Sequence, residues 1–193
     1  MLKRNFKIEI SRKLVHLSSS SIAMSIYFLD KYIYIPVLCS VTVFFIIFDI
    51  LRINFEKINY IYNFFFLQFT RDNEKNKLTG ASYLFLGALI VALIFEKKIV
   101  VVGLLVTSIS DSMAAIIGIV FGKTRLFNKT LEGSTAFFIS TFTILTIFKF
   151  NLVAALLISL ISTITELFSS TKYNDNILIP ISTCSVIYML SML

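Results

Sequence analysis

The sequence has no tryptophan, two prolines, two cysteines and a single histidine among 193 residues. Charged residues make up only 15% of it, where a soluble domain carries about one quarter. Both cysteines, Cys39 and Cys184, sit inside apolar runs, so they read as small buried hydrophobes and imply no disulfide or metal framework. The first apolar run has no small-residue cleavage site, and the start MLKRNFKIEISRK is charged for too long to be a signal peptide. No internal repeat, low-complexity linker or G-x-x-x-x-G-K-[ST] phosphate loop is present, although Gly122-Lys123-Thr124 occurs.

Apolar residues are abundant: 57% of the chain is hydrophobic, with 20 Phe and 8 Tyr. A bilayer-crossing helix needs about 20 mostly apolar residues. Candidate spans are Leu14–Leu29, Tyr32–Leu51, Ala81–Phe95, Ile99–Phe121, Ser134–Phe148, Leu152–Phe168 and Ile177–Leu193. Residues 53–70 are apolar but interrupted by Asn54, Glu56, Lys57, Asn59, Asn63 and Gln68, the pattern of an amphipathic helix lying in the membrane interface. The expected fold is an all-α polytopic transmembrane bundle of about seven spans plus that interfacial helix, as one domain over residues 1–193.

The net charge of +7 would suit nucleic acid in a soluble protein. Here the cations flank apolar runs, so they read as topology signals and as contacts for anionic lipid or phosphate. With the N-terminus inside, 14 of the 18 Lys and Arg fall on the inner side and only Lys31, Lys97, Lys98 and Lys149 outside. That bias predicts a cytoplasmic N-terminus and active face, with the C-terminus on the opposite side. No feature reports the oligomeric state.

Ionisable residues near or within spans are costly and point to function. They are His16, Asp49, Asp111 and Glu166. Asp111, Ala115, Gly118 and Gly122 follow i, i+4, i+7, i+11 spacing, one helical stripe that admits close approach of another helix or of a ligand. The loop GKTRLFNKTLEGS, residues 122–134, supplies Lys123, Arg125, Lys129, Thr130, Ser134 and the permissive Gly133 next to a helix start, which together read as a phosphate cradle or as a solvated basic loop. Glu166 shares a face with Thr163, Ser169 and Ser170; Asn174, Asp175 and Asn176 stand before the last helix as candidate caps. Arg12 and His16 are one turn apart, Asp49 and Arg52 are spaced to pair, and Thr79 and Ser82 can cap a helix start. Each of these clusters falls at the inner end of a span.

The order of these pieces resembles the CTP-dependent lipid-alcohol kinases: dolichol or polyprenol kinase, phytol kinase and eukaryotic-type diacylglycerol kinase. The strongest stretch is SDSMAAIIGIVFGKTRLFNKTLEGSTAFF, residues 110–138, supported by RKLVH and by the late Glu followed by DN-x-x-x-P. Phosphatidate cytidylyltransferase is similar more distantly, but its long C-terminal signature has no counterpart here. Ser110 stands where the family has Gly, and Asn128-Lys129 where it has a Lys pair. The resemblance implies Mg²⁺-dependent phosphoryl transfer from CTP to a polyprenol, phytol-like or diacylglycerol hydroxyl. It implies Asp111 and Glu132 on the metal, and Glu166 either on the metal or orienting Lys129. Lys123, Arg125, Lys129, Thr130, Gly133, Ser134, Gly118, Gly122, Asp175 and Asn176 would lie about the nucleotide, with His16 or Asp175 near the acceptor hydroxyl. The alternatives are a CDP-lipid-forming cytidylyltransferase and a small non-enzymatic membrane transporter; few polar residues at the outer ends give the latter no visible path.

Overall fold

The computed structural model describes residues 2–66, 70, 74, 76–169 and 174–192, with backbone alone for 2–8. Arg71, Lys75, Ser170 and Lys172 lie outside them. The described chain is almost entirely helical. The helices are α1 (Leu2–Ser18), α2 (Ser20–Phe28), α3 (Lys31–Asn54), α4 (Glu56–Phe66), α5 (Gly80–Ile94), α6 (Lys97–Leu105), α7 (Asp111–Phe121), α8 (Leu131–Ile147), α9 (Leu152–Phe168) and α10 (Asp175–Ser191). Where a basic loop was expected after α7, a two-residue antiparallel hairpin forms, β1 (Arg125–Leu126) on β2 (Lys129–Thr130).

Among the described residues, two helices are long and apolar enough to cross a bilayer: Lys31–Asn54 and the continuous rod Lys97–Phe121. Within their most apolar windows, 78% of the rod is buried against 22% of α3. The rod is therefore the central post, and α3 is a peripheral helix. Four further apolar helices, α5, α8, α9 and α10, are 15 to 17 residues long. Their outward faces are strongly apolar, with Ile94, Ile139, Ile147, Val153 and Leu160 all exposed, while Ser82, Ser110, Thr141, Ser159, Ser162 and Thr183 are buried. Many hydroxyls bond back to the carbonyl four residues earlier, as in Thr107 to Gly103 and Thr163 to Ser159, which satisfies them in an apolar bundle.

Two departures from the expected helices place the site. The span expected over Leu14–Leu29 starts far earlier and breaks at Ser19, where the Ser19 amide bonds His16 three residues back and the Ser18 and Ser19 hydroxyls bond Val15 and His16. A run of serines offers the backbone these local alternatives. Opposite that break, the rod carries a π-helical turn over Val106–Ser110. Such turns widen a helix and free a carbonyl, and they recur at functional sites. Here the Thr107 carbonyl takes a bond from His16 Nε2 at 2.9 Å.

The amphipathic segment folds as α4, which packs on α3 through Tyr62 and exposes Tyr60, Phe64 and Phe65. A buried clasp holds its neighbourhood. Asp49, 1% exposed, receives Arg52 Nε at 3.2 Å on one oxygen, and the Thr79 amide, Thr79 hydroxyl and Ser82 hydroxyl at 2.7, 2.9 and 2.6 Å on the other. Arg52 also donates to the Glu74 and Lys77 carbonyls and lies 4.7 Å over the Tyr62 ring. The predicted Asp49–Arg52 pairing is thus real, and it is structural. Arg52→Ala leaves Asp49 buried without its cation and is expected to cost about 3–5 kcal/mol. Thermal unfolding in detergent checks this, and a variant as stable as the parent contradicts it.

Candidate active site

Asp111 opens α7 at 2% exposure. A carboxylate in that setting needs a cation. Lys13 of α1 supplies it, its ammonium bonded directly to Asp111 Oδ2. Lys13 is itself only 5% exposed, and the Ser112 hydroxyl bonds its carbonyl at 3.1 Å, so α1 and α7 are joined by side chain and backbone. His16, one turn along α1, brings Nε2 to 3.5 Å from the same Asp111 oxygen. A carbonyl can only accept, so the contact with Thr107 fixes the proton on Nε2 and leaves Nδ1 as the acceptor of the neutral ring.

A second pair sits beside the first. Lys129, at the end of the hairpin, places Nζ 2.7 Å from Glu166 Oε1, and the Ser134 hydroxyl donates to Glu166 Oε2 at 3.1 Å. Burial alone would favour neutral Lys129. Glu166, then Asp111 and Asp175, outweigh it and raise the Lys129 pKa above the ordinary lysine value. Asp175 also acts on His16. Seven polar side chains from α1, α7, the hairpin, α8, α9 and α10's first turn therefore form one electrostatic cluster. Ser110 Oγ, beside Asp111, is buried with no hydrogen-bond partner among the described residues.

Several expected site residues lie elsewhere. Glu132 is partly exposed, and its carboxylate accepts the Thr124 amide at 3.1 Å. Thr124 follows the end of α7, so the Glu132 carboxylate is held beyond that helix, whereas Asp111 opens it. Among the described residues no three Asp, Glu, His or Cys side chains gather to hold a metal. With Asp111 already engaged by Lys13 and His16, the donor set does not fit a Mg²⁺ ion held by Asp111 and Glu132.

The small-residue stripe is filled by the chain itself. A Cβ on Gly118 would stand 2.7 Å from Thr130 Oγ1, one on Gly122 would stand 2.7 Å from Thr130 Cγ2, and one on Gly133 would meet the Ala114 carbonyl at 2.7 Å. Close helix approach, one of the two readings of the stripe, is what forms. Thr130 caps the Gly133 amide at 3.2 Å. Lys123 and Arg125 are exposed on and beside the hairpin. Asn174 is the α10 cap, accepting the Asn176 amide at 3.0 Å, and Asn176 ties α10 to the Gly80 carbonyl of α5. Arg12, one turn from His16, donates to Glu9 at 2.8 Å. Lys13 was the residue missed; its signal was the i, i+3 spacing to His16, which puts both on one face.

Over 194 aligned residues the chain is 31% identical to an uncharacterized protein of Rickettsia prowazekii, spanning 95% of each. It is 34% identical over 178 residues to an uncharacterized protein of Methanocaldococcus jannaschii, spanning 89% of this chain and 88% of that one. A CTP-dependent diacylglycerol kinase of Schizosaccharomyces pombe is 31% identical over 94 residues, 47% of this chain and 43% of the yeast protein. No family model and no solved structure matches the chain.

Lys129→Met strands Glu166 and is expected to cost about 3–5 kcal/mol at neutral pH. The Lys129 pKa is raised on folding, so its contribution is complete below the unfolded value of about 10.4 and lost only as pH climbs through the higher folded value. Unfolding measured from pH 7 to 10 should show a constant gap between parent and variant. A gap that closes below pH 9 contradicts the pairing.

Proposed function

The chain belongs to one family with the Rickettsia prowazekii and Methanocaldococcus jannaschii proteins, and we propose that it transfers the terminal phosphoryl group of CTP to the hydroxyl of a membrane lipid alcohol. The observation that carries this reading is the gathering of Lys13, His16, Asp111, Lys129 and Glu166 inside an otherwise apolar bundle. Cations held beside buried carboxylates suit a polyphosphate and an acceptor that arrives through the lipid. The partial likeness to a CTP-dependent diacylglycerol kinase supports both the nucleotide and the acceptor class.

In this reading the chain is a single domain in which α1–α2, α3, the Lys97–Phe121 rod, α5, α8, α9 and α10 cross the bilayer, and α4 rests in the interface. The N-terminus and the hairpin face the cytoplasm, where CTP is dissolved, and the C-terminus lies opposite.

Phosphoryl transfer needs positioning and charge stabilisation more than covalent chemistry. An ammonium has three N–H donors, so Lys129 can hold Glu166 and still donate to a phosphate oxygen. Glu166, anchored by Ser134, fixes where that cation points. Lys123 and Arg125 on the exposed hairpin draw the triphosphate in. Lys13 keeps Asp111 ionised, and Asp111 orients His16. The acceptor oxygen attacks the terminal phosphorus, the bond from that phosphorus to the bridging oxygen breaks, and CDP leaves. The hydroxyl proton passes to Nδ1 of His16, and the resulting imidazolium is stabilised by Asp111 and Asp175.

Purified protein in detergent is incubated with γ-labelled CTP and with diacylglycerol, polyprenol or a phytol-like alcohol. At least one alcohol becomes labelled. Asp111→Asn and Lys129→Ala each slow transfer by roughly 10²-fold or more. If both variants match the parent, the site is wrong. If no alcohol is labelled and phosphatidate yields CDP-lipid, the protein is a cytidylyltransferase.

A further inference from the structure

At the other end of the rod, the ends of α2 and α8 and the start of α6 leave an open groove of about 760 Å³. Lys97 sits about 21 Å along the rod from Asp111, at 1.5 Å rise per residue, so the groove is separate from the charged cluster. Its floor is the buried Val101, and its walls are Tyr27, Ile147 and Phe148. Its mouth carries Lys97 and Lys98. The Lys98 ammonium is 5.4 Å above the Phe150 ring, and Lys149 follows the groove-lining Phe148. These three cations outnumber Glu96, the acid that precedes Lys97 and Lys98 in the chain. Glu96 holds the N-cap position without a side-chain bond to the first-turn amides, so the α6 terminus adds unsatisfied donors and positive potential on the same side.

We propose that this groove binds an anionic phospholipid of the bilayer leaflet opposite the reaction cluster. Charge complementarity selects the occupant. The lysines and the helix terminus take the phosphate, and the apolar trough takes the upper part of an acyl chain. A zwitterionic lipid loses the net attraction, and a free phosphate compound loses the trough. The site rests on the reading of the chain as bilayer-spanning. That reading fails separately, if alkaline carbonate without detergent strips the protein from membranes.

The test is native mass spectrometry of the full chain in detergent with added phosphatidylglycerol, phosphatidylcholine or glycerol 3-phosphate. The parent is expected to retain phosphatidylglycerol and neither of the others. The double variant Lys97→Gln, Lys98→Gln should bind it roughly 10- to 30-fold more weakly. Both lysines are accessible, and an unchanged unfolding temperature without added lipid shows that the variant is intact. Equal retention of the two lipids, retention of glycerol 3-phosphate at the same level, or undiminished phosphatidylglycerol binding by the variant overturns the proposal.

Discussion

A carboxylate at 2% exposure in an apolar rod costs several kcal/mol unless a cation meets it, and Asp111 meets Lys13. Much of the nearby architecture answers that requirement. Lys13 must reach the middle of the bundle, so α1 lies along α7. The Ser19 break lets α2 continue along α6, and the π turn opposite it offers the Thr107 carbonyl that orients His16. Glu166 imposes the same demand on the hairpin, which exists to deliver Lys129 at 2.7 Å.

The buried pairs differ in what they leave available. Asp49 is saturated: four donors occupy its two oxygens, and Arg52 is spent on carbonyls and the Tyr62 ring. That clasp is a fastener between α3 and the start of α5. The Lys13–Asp111 and Lys129–Glu166 pairs instead join ammonium groups, whose remaining donors can turn to a ligand, next to a histidine with one acceptor nitrogen. Both kinds of pair meet the cost of burial, and the second retains chemistry.

Much of this was legible in the sequence. Apolar runs located the helices, and the rarity of charge within them singled out His16, Asp49, Asp111 and Glu166. The Asp49–Arg52 pair was readable because both partners lie on one helix at i, i+3. Long-range partners were not. Whether Arg12 or Lys13 turns inward depends on the rotation of α1 against α7, which no local period encodes. The π turn and the Ser19 break shift helical phase without a proline to announce them. The glycine stripe was correctly read as small, yet only the fold shows that Thr130 fills it. The bond from the Thr124 amide to the Glu132 carboxylate was hidden for a related reason: it depends on how the hairpin folds back beyond the end of α7.

The central claim is that Lys13 and Asp111 act as one unit in the reaction. A double-mutant cycle on labelled phosphoryl transfer tests it most directly, with Lys13→Met, Asp111→Asn and the pair in one chain. The account predicts strong non-additivity: the double variant is little slower than the worse single variant, because either change already breaks the unit. Losses that simply add would mean that the two residues act independently, and would contradict it.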